Sequence, residues 1–203
     1  GNNNGFKFIL KGAVAVSGDE GLYKMRDLIE KGELKKAEIP GQDSNREIYD
    51  DYVKKLLSLI DTAKIKPLKI VVDAANGVAG FIVEKLYQNL PVKIIPLYFE
   101  LDGNFPHHKP SPLEEENLVD IKRKVIEEGA DLGMAFDGDA DRIFFIDENG
   151  KVINSSLTSA LIIKNILDKH KNEKIIYNLV CSKIVPETIK KYGGNAIMER
   201  VGH

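Results

Sequence analysis

The chain has one cysteine, no apolar run of membrane-spanning length and almost no charge imbalance. A lone Cys181 cannot close an intrachain disulfide, which excludes a disulfide-stapled secreted scaffold and fits a reducing, cytoplasmic compartment. A bilayer-crossing helix takes about 20 apolar residues. Nothing here approaches that, and the start is not a signal peptide, so no membrane partner is expected. Lys and Arg number 29 against 31 Asp and Glu, a formal net charge of -2. That balance gives no reason to expect a nucleic-acid partner, and any phosphate binding must be local. Internal repeats and low-complexity tracts are also missing.

What is present describes an ordinary globular protein. The 203 residues suggest one to two domains, and 43% hydrophobic with 30% charged residues exclude the disordered and collagen-like classes. The chain opens GNNNGFKF without an initiator Met, a polar loop that delivers the chain into a strand and normally follows something. Residues 6–16 then read as one strand interrupted at Gly12. Ser17 and Glu20 form a capping-box pattern ahead of a helix that stops near Gly32. Residues 33–45, with Pro40 and Gly41, look like a linker.

Beyond the linker, Ile48, Tyr52, Leu56 and Leu59 mark a helical face. Buried strands are expected at 68–72, 92–97, 131–136 and 143–146, with helices at 78–88 and from Ser111-Pro112-Leu113-Glu114 to Gly129. A helix at 156–168, a strand at 174–180, a helix at 184–192 and a strand at 196–198 complete the pattern. Strands alternating with helices of this length imply an α/β fold with mixed, mostly parallel sheets covered by helices.

The chemistry concentrates in Phe136-Asp137-Gly138-Asp139-Ala140-Asp141-Arg142, between two very apolar strands. Three carboxylates at spacing two, separated only by Gly and Ala, converge when the backbone curls. Unit charges about 4 Å apart repel by about 4 kcal/mol at an effective dielectric of 20, so convergence demands a cation. A hard divalent ion such as Mg2+, held by carboxylates and substrate phosphate, fits best. Counting from Asp137 puts Glu148 at position 12 of an EF-hand loop, but position 6 is Arg142 rather than Gly and the flanks are strands. A strand followed by Asp-x-Asp also suits an aspartyl phosphatase with Asp137 as nucleophile. His107 and His108, adjacent on an extended segment, point to opposite sides and suit loop positioning better than metal binding. Asn76-Gly77 reads as a strand-to-helix turn, and Cys181 as a small buried hydrophobe.

Asp137 to Arg142, DGDADR, resembles the metal-binding loop of the α-D-phosphohexomutases, in which three aspartates hold Mg2+ against a phosphorylated serine. NGFKF at 4–8 resembles the segment following that family's catalytic serine. Val72-Asp73-Ala74-Ala75-Asn76-Gly77 resembles its second-domain opening strand and turn, and Phe105 to Pro112 resembles a segment of the phosphomannomutase/phosphoglucomutase branch.

The resemblance implies Mg-dependent phosphotransfer on hexose phosphates through a hexose 1,6-bisphosphate intermediate. Asp137, Asp139 and Asp141 would hold the metal. Lys7 and Arg142 would act at the phosphoryl group, and Arg200 and His203 would approach the substrate. It also implies an internal piece of a mutase, inactive alone: residues 1–45 as the tail of a first domain with its linker, 46–150 as a second domain carrying the metal loop, and 151–203 as part of a third. The family's Ser-His-Asn-Pro does not occur in the chain. A non-catalytic module that binds metal and phosphosugar is the alternative. The sequence leaves the oligomeric state and the preference between mannose and glucose phosphates open.

Overall fold

The computed structural model describes residues 6–34 and 36–201, so the Asn4-Gly5 and His203 expectations lie outside the described residues. The chain divides into two compact units, residues 1–47 and 48–203.

In the first unit the expected single strand is a hairpin. β1 (Ile9–Leu10) pairs antiparallel with β2 (Val14–Ala15), Ile9 opposite Ala15. Left-handed backbone at Gly12 (φ 84°) and Ala13 (φ 61°) reverses the chain where an extended interruption was expected. The Ser17 hydroxyl donates to the Glu20 carboxylate at 2.9 Å and so makes no N-cap bond. α1 (Tyr23–Glu30) follows, and Gly32 (φ 65°) lies just past its end.

The second unit opens with α2 (Tyr49–Leu57). β3 (Leu68–Asp73), α3 (Ala79–Tyr87) and β4 (Val92–Leu97) form a parallel unit, Leu68 opposite Val92. Regular helix was expected to begin at Ser111-Pro112. Instead Glu114 is extended, a 3-10 turn occupies Glu115–Leu118, and α4 runs Val119–Glu128. Buried Asn117 accounts for the delay: its amide donates to the Ser111 carbonyl at 2.8 Å and fixes 111–117 as an ordered loop. Left-handed Gly129 ends α4.

β5 (Leu132–Phe136) lies parallel to β3, whereas β6 (Ile143–Asp147) and β7 (Val152–Ile153) add antiparallel strands. The sheet order is β4-β3-β5-β6-β7. The sequence pattern had not resolved β7, which is only two residues long.

Alternation along the strands assigns the two faces of this sheet. Val71, Ala135 and Ile146 pack with Leu118, Ile121 and Val125 of the α4 region, while Ile70, Val72 and Met134 pack with Ala79 and Val83 of α3. Each fully buried aliphatic side chain contributes about 1.5–3 kcal/mol. Gly133 lets α4 approach β5, since a Cβ there would lie 2.9 Å from Val125 Cγ2.

The remaining chain forms α5 (Ser155–Lys169), β8 (Lys174–Asn178), α6 (Ile184–Lys191) and β9 (Asn195–Glu199), with β8 and β9 parallel. β8 ends two residues earlier than expected. The Asn178 side-chain oxygen accepts from Val180 N at 3.2 Å and from the Cys181 thiol at 3.3 Å, turning the chain and leaving Val180 exposed. Cys181 is half-buried. Ile163 and Leu167 of α5 and Val185 and Ile189 of α6 form a separate core. Among the described residues, no helix is long and apolar enough to cross a membrane.

Candidate metal centre

β3 and β5 are parallel neighbours, so their carboxyl ends, Asp73 and Phe136, emerge on the same side of the sheet. Ligand sites in α/β folds gather at such ends. The aspartate loop leaves β5 there and returns as β6. Its curl is closed by Asp137 N donating to Arg142 O at 3.3 Å and Ala140 N donating to Asp137 O at 3.1 Å, with Ala140 left-handed at φ 59°. Small residues between the acids make this curl sterically possible.

The curl gathers Asp137, Asp139 and Asp141, whose ligand oxygens lie within 4.8 Å of one another. A shell of about 2.1 Å radius holds its oxygens at most about 4.2 Å apart. Small rotations of exposed Asp139 and Asp141 would therefore close it. An acceptor set made only of carboxylate oxygen selects a hard cation such as Mg2+.

Asp137 is the fixed member, fully buried, and Arg142 holds it on both oxygens. The Arg142 backbone N–H donates to Oδ1 at 3.0 Å and its Nε to Oδ2 at 2.6 Å. Burial pushes the Asp137 carboxyl up. The hydrogen bonds from Arg142, with help from Asp141 and the guanidinium charge, outweigh that and hold it below the ordinary aspartate value. Arg142 Nε also lies 3.4 Å from Asp141 Oδ1, and half of its side chain remains exposed.

The loop is gripped at Gly138. Its N–H donates to the Pro110 carbonyl at 3.3 Å, and its carbonyl accepts from Val78 N at 3.1 Å. The second grip comes from the β3–α3 connection, in which Ala75 (φ 48°) and Asn76 (φ 56°) are both left-handed. Buried Asn76 donates through Nδ2 to Glu100 O at 2.8 Å and accepts through Oδ1 from His107 Nδ1 at 2.8 Å. His107 stacks on Tyr98 with ring centroids 3.9 Å apart. His108 pairs with Asp73, and the Tyr98 hydroxyl donates to Asp120 at 2.8 Å. The two histidines thus do not point apart as an extended segment requires: both rings lie against Tyr98. Burial first, then the bond to Asp120, pushes the Tyr98 hydroxyl up to about 12.

Other residues singled out in the sequence lie elsewhere. Lys7 is exposed ahead of β1 in the first unit. Arg200 is exposed just past β9, where it lines a cavity of about 720 Å3 with Asn178, Cys181 and Glu199. The sequence reading missed the support at Gly138. Its signal was the Asn-Gly turn directly after a buried strand, taken for a turn and nothing more.

Residues 50–150 match the family described as phosphoglucomutase/phosphomannomutase, alpha/beta/alpha domain II. A phosphomannomutase of Vibrio cholerae serotype O1 is 38% identical over 205 residues, covering 98% of this chain and 44% of the relative. A phosphomannomutase/phosphoglucomutase of Pseudomonas aeruginosa is 38% identical over 200 residues, covering 98% and 42%. The crystal structure of a phosphoglucomutase/phosphomannomutase family protein from Burkholderia thailandensis superposes with a TM-score of 0.81 at 31% identity, covering 94% of this chain and 40% of that one. The chain belongs to the α-D-phosphohexomutase superfamily. It spans under half the length of the curated relatives it matches.

Proposed function

We propose that the Asp137-Asp139-Asp141 loop binds Mg2+ and that the chain supplies the metal-binding domain of a mutase interconverting hexose 1-phosphates and 6-phosphates. The convergence of the three carboxylates, with Arg142 anchored beside them, carries this reading. Bound Mg2+ would supply positive charge to phosphoryl oxygens. Phosphoryl transfer needs positioning and charge neutralisation more than covalent chemistry.

Arg142 uses Nε on Asp137, and its two terminal nitrogens remain to hold two phosphoryl oxygens in a plane. Lys7 is proposed to act at the phosphoryl group, and Arg200 and His203 to approach the sugar phosphate. A hexose 1,6-bisphosphate is the proposed intermediate. Residues 1–45, 46–150 and 151–203 are assigned to successive mutase domains.

The Pseudomonas aeruginosa relative with its domain II replaced by residues 50–150 of this chain would test the reading. The folded chimera should convert glucose 1-phosphate or mannose 1-phosphate to the 6-phosphate in Mg2+ and lose the activity with Asp139→Asn. A folded chimera that binds hexose phosphate but does not convert it would favour the non-catalytic module. One equally active with Asp139→Asn would remove the metal role.

A further inference from the structure

The Asp73–His108 pair lies outside the aspartate loop yet connects to it. His108 Nε2 lies 3.0 Å from Asp73 Oδ2, and its Nδ1 lies 2.9 Å from the Lys109 carbonyl. A carboxylate oxygen and a carbonyl oxygen both accept, so both ring nitrogens must donate, and only the imidazolium form does that. Asp73 is 1% exposed, and its other oxygen accepts from Ala75 N at 2.8 Å. The 107–110 segment is thereby tied to the end of β3. The next residue, Pro110, offers the carbonyl that takes the Gly138 N–H, and the Pro110 ring leaves only 3.2 Å to a Cβ placed on Gly138.

We infer that His108 is a positioning residue for the aspartate loop: as an imidazolium it locks the segment carrying Pro110, and through Pro110 it sets where Gly138, and with it Asp137 and Asp139, stands. The inference rests on reading that loop as a metal site and deepens it, because metal affinity then follows the protonation of His108.

The surroundings favour the charged ring. Asp73 faces it from β3. Asp120 lies across Tyr98 from α4, with Arg123 bonded to its other oxygen at 2.9 Å, and the Tyr98 ring meets His108 edge-on at 5.4 Å. The hydrogen bond to Asp73 holds the imidazole above its ordinary value of 6.5 against the opposing effect of burial. Once neutral, the ring loses one donor, so either a nearly buried carboxylate oxygen or the Lys109 carbonyl loses its bond. By Coulomb attraction alone, removing a positive charge would strengthen binding of a cation. Positioning predicts the opposite sign, which makes the two separable.

The test is Mg2+ titration calorimetry on the whole chain across pH 6 to 9, for wild type, His108→Asn and Asp139→Asn, with 15N NMR of the histidine rings. Wild-type affinity should fall about tenfold as pH rises through the His108 transition, and both ring nitrogens should report as protonated below it. His108→Asn should bind weakly at every pH while its circular dichroism is unchanged. Wild-type affinity that is flat or rises with pH, yet lost in Asp139→Asn, overturns the inference and leaves the metal reading standing. Affinity that survives in Asp139→Asn overturns both. The wild-type profile and the ring nitrogens decide the question even where His108→Asn does not fold.

Discussion

Gly77 lies against Gly138 so closely that a Cβ built on Gly77 would come 2.5 Å from the Gly138 carbonyl oxygen and 2.8 Å from its Cα. The β3–α3 turn and the aspartate loop are therefore in backbone contact, and the loop's position depends on a residue 60 or so positions upstream in sequence. Gly77 is not left-handed, so the requirement is one of space alone.

Gly77→Ala should destabilise the protein by about 1–3 kcal/mol through overpacking and weaken Mg2+ binding at the same time. Gly103→Ala is the control, since nothing lies within 4 Å of a Cβ there. Thermal melts and Mg2+ titrations of the two variants decide it. Equal behaviour of the pair would mean that the turn does not set the loop.

Arg142→Gln removes the guanidinium from buried Asp137 and leaves the backbone N–H in place. A buried charged group that loses its partner costs about 1–3 kcal/mol, and Mg2+ should restore much of it by replacing the missing positive charge. The rise in melting temperature on adding Mg2+ should thus be larger in Arg142→Gln than in wild type. The pH dependence has a definite sign. A carboxyl held below the ordinary value of 3.8 in the fold contributes stability that is complete above pH 3.8 and disappears as pH falls through the folded value. Wild type should show that acid loss, and Arg142→Gln should show less of it. Identical Mg2+ increments in both proteins would argue against shared charge at the loop.

Tyr98→Phe keeps the ring that stacks on His107 and removes the hydroxyl bonded to Asp120. A cost of about 1 kcal/mol is expected at neutral pH. A hydroxyl raised to about 12 in the fold stabilises fully below the ordinary value of 10, and this contribution is lost as pH rises through 12. Followed by ultraviolet absorbance, wild type and Tyr98→Phe should show the same tyrosine ionisation up to pH 11 and part only above it, where Tyr98 ionises in wild type alone. A Tyr98→Phe curve already short of one tyrosine's absorbance change at pH 11 would show that the hydroxyl is not held up by the fold.

How much of this was legible in the sequence follows from the range of each interaction. β3, β5 and β6 were readable because each is a short apolar run packed on both faces, and the DGDADR spacing itself defines the convergence. The hairpin at Gly12-Ala13 and the late start of α4 were not. In the first case a left-handed Ala has no sequence signature, and in the second Asn117 acts on Ser111 against a good local helix signal. At the site, the carboxylates and Arg142 are local to one loop. Asp73 with His108, Asn76 with His107, and Gly77 with Gly138 are pairs 31 or more residues apart. Only the folded chain brings them together, and a pattern of spacings carries no sign of it.

We propose that three aspartates of one loop form a single metal site. It is tested most directly by electron paramagnetic resonance of Mn2+, which takes the same oxygen ligands as Mg2+, titrated into wild type and Asp139→Ala. Asp139 is exposed, so its loss should leave the fold intact. One bound Mn2+ per chain, displaced by Mg2+, is expected in wild type and none in Asp139→Ala. Equal Mn2+ binding by a folded Asp139→Ala protein would contradict it.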